Sequence, residues 1–320
     1  IKSKTASNRL VMPPMATYKS TADGMVTDEL CEYYGKCTAG GRFGIVITEH
    51  GYINISGRAG IGQFSLADES CIPGLKKLSG AIHENGSIAI AQMNHAGSLT
   101  TPDVTGCDIV SASAVPNIRK KPGVEYVLPR ELTKEEILGL EDDFAKAALI
   151  AKKAGFDGVQ IHSAHCYLLC QFFSPLTNKR TDEYGPQSIE NRTRFHVEAY
   201  RKVRKAVGDD FIVSLRLGGC DYMEGGSTIE DAVDACRIFE KEGIDLLDLS
   251  GGMCFFTREG HPEAGYFSDM SEAVKKAVSI PVITTGGVSS PEEAELLLKE
   301  GKADLIGIGR KMNRFFELYR

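Results

Sequence analysis

The sequence predicts an α/β protein with a TIM barrel, the (β/α)8 fold. Eight short β-branched runs alternate with segments of helical periodicity along the 320 residues. Most of these runs are continuously apolar, as in Gly44–Ile47, which is typical of parallel strands covered on both faces. The first turn, Met12–Thr17, contains no glycine, which disfavours a doubly wound nucleotide-binding sheet.

The strands and helices follow in strict alternation. The predicted strands are Arg9–Met12, Phe43–Thr48, Ile88–Met93, Gly158–His162, Phe211–Arg216, Leu246–Ser250, Pro281–Thr285 and Asp304–Gly309. The predicted helices are Asp28–Ala39, Gly74–Asn85, Lys134–Lys153, Ile189–Val207, Ile229–Glu242, Met270–Ala277 and Pro291–Glu300. Thr133–Glu136 forms a capping-box pattern, and Ser290 before Pro291 is a typical helix start.

One connection is much longer than the others. The stretch from Gly97 to Arg130 follows the third strand and is rich in Pro, Ser and Thr. In a barrel this position lies over the carboxyl ends of the strands, so we expect a lid or capping segment there. We expect residues 1–320 to form a single barrel domain; because the first residue is Ile1, truncated termini are expected as well.

Composition limits the partners. A net charge of −6 and a pI near 5.7, with no basic cluster, disfavour nucleic acid. The chain has no apolar run of the roughly 18 residues needed to cross a bilayer, and a cytoplasmic location is expected. Nine cysteines at irregular spacing, without a CxxC pair, predict reduced thiols and no metal site.

Two glycine turns near the C-terminus predict a phosphate site. Gly286 and Gly287 follow the seventh strand, and Gly309 and Arg310 follow the eighth. Barrels often bind phosphate between these two turns, where backbone N–H groups are exposed. The alternative is that the glycines only make tight turns.

A group of polar rings follows the fourth strand. His162, His165 and Tyr167 fall within six residues. Two neutral imidazoles suit a carbonyl or nitro oxygen, and a phenol can deliver a proton. A metal pair and purely structural histidines are the alternatives, although a lone HxxH is a weak metal signal.

Arg216 ends the predicted fifth strand. A guanidinium at a barrel mouth needs an anion or an electron-rich heterocycle as its partner. The alternative is a simple ion pair with Asp221.

Taken together, these motifs resemble the old yellow enzyme family of NAD(P)H:flavin oxidoreductases. The resemblance runs from about residue 8 to residue 311. Its segments are Asn8–Met15, Ala91–Gly97, Gly155–Gly185, Glu190–Arg192 and Gly307–Arg310.

The resemblance implies tightly bound, non-covalent FMN, with NAD(P)H as co-substrate and an electron-poor small molecule, such as an α,β-unsaturated carbonyl compound, as acceptor. Tyr167 would protonate the substrate, His162 and His165 would bind its oxygen, and Tyr18 would line its pocket. The residues implied in FMN binding are Pro13, Pro14, Met15, Ala16, His50, Gln92, Arg216, Gly286, Gly287, Gly309 and Arg310. Whether the chain forms a homo-oligomer is left open.

The sequence departs from the family pattern at several places. Ala16 replaces a frequent threonine or cysteine, so a shifted flavin potential is expected. Cys166 stands where relatives carry glycine between the second histidine and the tyrosine, and Pro186 also replaces a common glycine. The chain ends at Arg320 without the cysteine-rich segment of longer relatives, and a fragment of a longer reductase is left open.

Two other functions stay open. A phosphate-binding barrel lyase or isomerase is one, although none of the predicted strands ends in the lysine that a Schiff base needs. A non-catalytic flavin-binding barrel is the other.

Overall fold

The structure is a computed structural model that describes residues 1–119 and 123–317. A closed parallel barrel is formed by β1 (Leu10–Met12), β2 (Ile45–Tyr52), β3 (Ile88–Asn94), β4 (Gly158–Ser163), β5 (Ile212–Cys220), β6 (Leu246–Gly251), β7 (Val282–Thr285) and β8 (Leu305–Gly307). Each strand pairs with its neighbour in sequence, and β8 pairs with β1 through Leu10 and Ile306. The predicted fold class is therefore confirmed.

Helices surround the barrel. They are α1 (Asp28–Thr38), α2 (Ile72–His83), α3 (Pro102–Thr105), α4 (Lys134–Lys153), α5 (Leu168–Phe173), α6 (Ile189–Val207), α7 (Ile229–Glu242), α8 (Ser268–Lys275), α9 (Pro291–Lys299) and α10 (Met312–Glu317). The predicted capping box of α4 is present, with Thr133 and Glu136 each bonding the other's backbone N–H. Within the described ranges no helix is both long and apolar enough to cross a membrane.

The barrel interior has an apolar layer and a polar layer. Ile45, Ile88, Ile212 and Leu246 stand near the beginnings of their strands and belong to one buried apolar cluster. Buried polar side chains, among them Gln92, stand nearer the strand ends. The apolar layer closes one end of the barrel, and the polar layer lies toward the carboxyl-terminal end.

Two strands run four residues past their predicted ends. β2 continues to Tyr52, so His50 lies within the strand rather than after it, and β5 continues to Cys220, past Arg216. Both extensions contain a register shift, between Ile47 and His50 and between Gly218 and Cys220. Such bulges re-aim side chains without ending the strand, and sequence periodicity does not reveal them.

The long connection after β3 contains α3 and a parallel pair of short strands, Val110–Ser111 and Arg130–Glu131. Residues 120–122 of the expected lid, and Arg320 at the chain end, lie outside the described residues. Arg119 from this connection lines the large cavity described below. A lid function stays a prediction.

Candidate active site

A cavity of about 810 Å³ opens at the carboxyl-terminal end of the barrel. It is large enough for a cofactor and lies where this fold places active sites. All fifteen site residues predicted from the sequence line it: Pro13, Pro14, Met15, Ala16, Tyr18, His50, Gln92, His162, His165, Tyr167, Arg216, Gly286, Gly287, Gly309 and Arg310. The structure thus brings all of them together, while the individual roles stay predictions.

A chain of buried polar groups begins at Gln92 in the cavity wall. Gln92 Nε2 donates to Gln160 Oε1 at 2.7 Å, and Gln160 Nε2 donates to Asp248 Oδ2 at 3.4 Å. Gln92 Oε1 is buried and has no hydrogen-bond partner in the described chain. An orphaned buried acceptor is costly, so Gln92 is ready to accept from a bound ligand.

Arg216 contacts Asp248 rather than Asp221, so the alternative pairing considered from the sequence is wrong. Arg216 Nε lies 3.2 Å from Asp248 Oδ2, and both side chains are buried. Burial raises the pKa of Asp248, although the nearby guanidinium acts in the opposite direction. Neither Arg216 Nε nor Asp248 Oδ1 has a hydrogen-bond partner within the described ranges. Arg216 therefore keeps donor capacity for a ligand.

Asp221 instead holds the loops around the cavity. Its carboxylate accepts from Ser174 Oγ at 2.6 Å and from the backbone N–H groups of Ser227 and Met253 at 2.8 and 2.7 Å. These three residues follow α5, β5 and β6 respectively. One buried carboxylate thus fixes three loops.

The predicted phosphate turns converge on Tyr266. Gly287 has φ of +74°, and a Cβ there would lie 2.5 Å from the backbone oxygen of Glu263. Arg310 Nη2 donates to Tyr266 Oη at 3.3 Å, beside the same turn. Only glycine fits such a turn without displacing its neighbours. The glycines and Arg310 form a cradle suited to an anion.

His162, His165 and Tyr167 form one cluster of rings. The His162 ring centroid lies 5.3 Å from that of His165 and 5.2 Å from that of Tyr167. His162 Nδ1 is buried without a hydrogen-bond partner in the part of the chain described, whereas His165 Nε2 lies 2.8 Å from Ser250 Oγ. Burial, and then nearby cationic groups, lower the pKa of both histidines well below the usual value. Both rings are therefore neutral near pH 7.

Neutral rings suit a polarised oxygen. A neutral imidazole has one N–H, which can donate to a carbonyl oxygen. Burial also raises the pKa of Tyr167, which keeps its phenol protonated. The cluster therefore combines hydrogen-bond donors with one proton source.

The turn through His165 and Cys166 explains why glycine was expected at position 166. His165 and Cys166 adopt φ of +58° and +63°. This left-handed conformation strains a residue with a side chain. The Cys166 thiol is buried, its Sγ lies 3.4 Å from the carbonyl oxygen of Met253, and burial raises its pKa to about 12. The thiol is therefore protonated and contributes packing rather than nucleophilic chemistry.

Several cavity residues had no sequence signal. Arg119 lies on the long connection after β3, whereas Phe255, Phe256, Arg258 and Tyr266 lie on the loop after β6. Neither loop contains a sequence motif or a regular spacing of apolar residues. Ser250 could have been found, because it ends a predicted strand. In the described residues, no group of His, Cys, Asp and Glu is arranged to hold a metal.

Comparison with known proteins assigns the family. The sequence model of the NADH:flavin oxidoreductase / NADH oxidase family matches residues 1–315. The chain belongs to this family. It is 39% identical over 309 residues to an NADH oxidase of Thermoanaerobacter brockii and 39% identical over 310 residues to a metal reductase of Desulforamulus reducens. Each match covers 95% of this chain but 46% and 45% of the relatives, so the chain spans about half their length.

Solved structures share the fold of this chain. A 2-naphthoyl-CoA reductase superposes with a TM-score of 0.87 at 31% identity, covering 97% of this chain and 49% of that one. An old yellow enzyme homologue from Zymomonas mobilis superposes with a TM-score of 0.83 at 28% identity, covering 97% and 86%. The resemblance to the old yellow enzyme family is therefore confirmed.

Proposed function

We propose that this chain binds FMN non-covalently in the barrel cavity and uses NAD(P)H to reduce an electron-poor alkene or a similar acceptor. The observation that carries the proposal is the convergence of His162, His165 and Tyr167 on the cavity that also contains Arg216 and the glycine turns. The proteins it is similar to include an NADH oxidase and a 2-naphthoyl-CoA reductase, both of which are named for oxidation–reduction chemistry.

The donor set fits the proposed cofactor. Gln92 Oε1, the orphaned acceptor, suits an imide N–H of the flavin ring. Arg216 would suit the edge of the ring that becomes negative on reduction, because a fixed cation stabilises negative charge. Gly286, Gly287 and Arg310 suit the phosphate.

When bound, reduced FMN would supply a hydride to the β-carbon of the acceptor. His162 and His165 hold the acceptor oxygen by hydrogen bonds and stabilise the negative charge that develops there. Tyr167 transfers its phenolic proton to the α-carbon, and the resulting phenolate regains a proton from solvent. The apolar layer below the site limits entry of water from the other end of the barrel.

A visible absorption spectrum of the purified protein, reconstituted with FMN, tests the proposal. We expect flavin bands that bleach on anaerobic addition of NADH or NADPH and return on addition of 2-cyclohexenone. A protein that does not bind FMN would overturn the cofactor assignment. Bands that bleach and do not return with any activated alkene would overturn the acceptor class, and bands that never bleach would favour a non-catalytic flavin-binding barrel.

A further inference from the structure

The arginine and lysine side chains around the cavity differ in their partners. Arg216 faces Asp248, and Arg258 Nη1 lies 2.8 Å from Asp269 Oδ2. Arg310 stands at the phosphate cradle, where Lys311 Nζ also donates to the Gly287 carbonyl at 3.1 Å. Arg119 differs from the others in this set in two ways. In the described residues no carboxylate lies within ion-pair distance of it, and it does not lie at that cradle.

Aromatic rings hold the Arg119 guanidinium in place. Its centre lies 3.5 Å from the ring centroid of Phe255 and 5.6 Å from that of Phe256. Such contacts orient a guanidinium but leave its N–H groups without acceptors. Arg119 Nε is buried and has no hydrogen-bond partner in the described chain. A buried charged donor without an acceptor is costly, and an anionic ligand would satisfy it.

Phe255 connects this cation to the histidine cluster. The Phe255 ring centroid lies 5.5 Å from that of His165, so the same ring contacts Arg119 and a proposed oxygen-binding residue. Phe255 also has φ of +70°, a strained conformation for a bulky residue. Strain of this kind concentrates at ligand sites.

We propose that Arg119 forms an anion subsite, and that the physiological acceptor carries a carboxylate in addition to the oxygen held by His162 and His165. This inference rests on the proposed function. It adds a substrate class, namely unsaturated compounds with a remote carboxylate. The guanidinium would bind this carboxylate through charge-assisted, bidentate hydrogen bonds.

A matched pair of phenols tests the subsite. 4-Hydroxybenzoate and its methyl ester share the phenol that is expected to give a charge-transfer band with FMN, and only the first carries a carboxylate. We expect the FMN-loaded protein to bind 4-hydroxybenzoate about tenfold or more tightly than the ester, and Arg119→Gln to remove most of that preference. Arg119→Lys, which keeps the charge but loses the planar fork, should retain part of it.

Each outcome has a separate meaning. Equal affinity of the unsubstituted protein for the two phenols overturns the subsite while the proposed function stands. The absence of a charge-transfer band with either phenol contradicts the proposed histidine site itself. If Arg119→Gln raises the KM for NAD(P)H and leaves the phenol preference intact, the anion is a phosphate of the nicotinamide cofactor and the carboxylate assignment is wrong.

A separate set of hydrogen bonds assigns a role to His50. The Gln63 amide is oriented by two backbone groups: its Oε1 accepts from Ala59 N–H at 2.7 Å, and its Nε2 donates to the His50 carbonyl at 3.0 Å. A flipped amide would oppose both groups, so the orientation is fixed.

The Gln63 amide then fixes the tautomer of His50. Gln63 Nε2 lies 2.7 Å from His50 Nδ1, which must accept because an amide nitrogen only donates. A neutral His50 ring therefore carries its proton on Nε2, which lies 3.3 Å from Tyr167 Oη. His50 donates to the phenol oxygen, and the phenol's own proton is directed to another acceptor.

We propose that His50 is a positioning residue that keeps the Tyr167 proton available to the substrate. The His50 N–H also stabilises the phenolate that is left after proton transfer. This interaction opposes the rise in pKa that burial causes at Tyr167. The inference rests on the proposed role of Tyr167 as proton donor. It differs from the contact with FMN that the family resemblance implies for position 50.

The tautomer can be measured without any cofactor. In the ¹⁵N NMR spectrum of the FMN-free protein we expect a pyridine-type Nδ1 and a pyrrole-type Nε2 for His50. The reverse assignment overturns the inference. In the FMN-loaded protein, His50→Leu should slow alkene reduction about tenfold or more relative to flavin reduction by NAD(P)H in the same variant, while His50→Gln, which offers an amide donor, should restore part of the rate of alkene reduction.

The two half-reactions separate the possible failures. If both half-reactions slow together in His50→Leu, His50 has a general structural or flavin-contact role and the positioning role is wrong. If Tyr167→Phe itself leaves alkene reduction unchanged, the proposed proton donor fails, whereas the NMR result on His50 remains valid by itself.

Discussion

Ser250 Oγ lies 2.8 Å from Nε2 of His165, so a residue of β6 fixes the ring of a residue that follows β4. Without a partner, the His165 imidazole could adopt more than one ring orientation, and the contact with the Ser250 hydroxyl selects one of them. Ser250 is itself buried, which strengthens the contact.

Ser250→Ala should weaken binding of phenolic ligands to the FMN-loaded protein by about three- to tenfold, the typical value of one neutral hydrogen bond. Titration of the charge-transfer band measures the change. Ser250→Thr retains the hydroxyl and serves as the matched control. Unchanged affinity in Ser250→Ala would mean that packing alone orients His165.

The barrel could be predicted from the sequence because strands that are buried on both faces consist of continuous apolar runs, such as those that contain Ile45 and Ile212. The glycine turns and the His162–Tyr167 segment were also predictable, because particular residue types are required there. Arg119 and Phe255 were not predictable: they reach the cavity through long-range packing of loops, which leaves no local pattern. The same holds for Gln63, whose partner in β2 is set by a loop contact.

The Arg216–Asp248 pair predicts a strong coupling. Asp248→Asn leaves a buried guanidinium without its anion and should lower the free energy of unfolding by about 3 kcal/mol or more. Arg216→Gln should cost a similar amount and also weaken FMN binding. The double variant should be less destabilised than the sum, as measured by urea unfolding of the FMN-free protein. Additive effects would show that the 3.2 Å approach carries no net interaction.

Buried neutral histidines predict acid sensitivity. Burial lowers the pKa of His196 to about 3, and its Nε2 lies 2.6 Å from Ser163 Oγ. Between about pH 6.5 and that value the unfolded chain binds a proton that the folded chain does not, so stability falls as pH falls. His196→Gln should reduce the slope of unfolding free energy between pH 6 and pH 5 by about 1.2 kcal/mol per pH unit. An identical slope in both proteins would show that His196 is protonated in the folded state.

Asp221 predicts a stability effect that reaches the cavity. Asp221→Ala removes the acceptor of buried donors on Ser174, Ser227 and Met253 and should destabilise the protein by about 3 kcal/mol or more. Because Met253 begins the loop that contains Phe255, ligand affinity should fall as well. Urea unfolding and phenol titration measure the two effects. Asp234→Ala, an exposed carboxylate on α7, is the control and should change neither measurably.

Gly287 and Gly301 form a matched pair that isolates the phosphate cradle. Both have φ near +70°, at +74° and +71°, so alanine at either position pays a similar backbone cost of about 1–2 kcal/mol. A Cβ at Gly301 meets no atom within 4 Å, whereas at Gly287 it would lie 2.5 Å from the backbone oxygen of Glu263. Gly287→Ala must therefore shift the turn, and we expect FMN affinity to fall about tenfold or more, because phosphate recognition depends on aligned backbone N–H groups. Gly301→Ala should lower the unfolding free energy and leave the FMN dissociation constant unchanged. Fluorescence titration of the two FMN-free variants decides the matter: equal FMN affinities would show that the turn after β7 does not hold the phosphate.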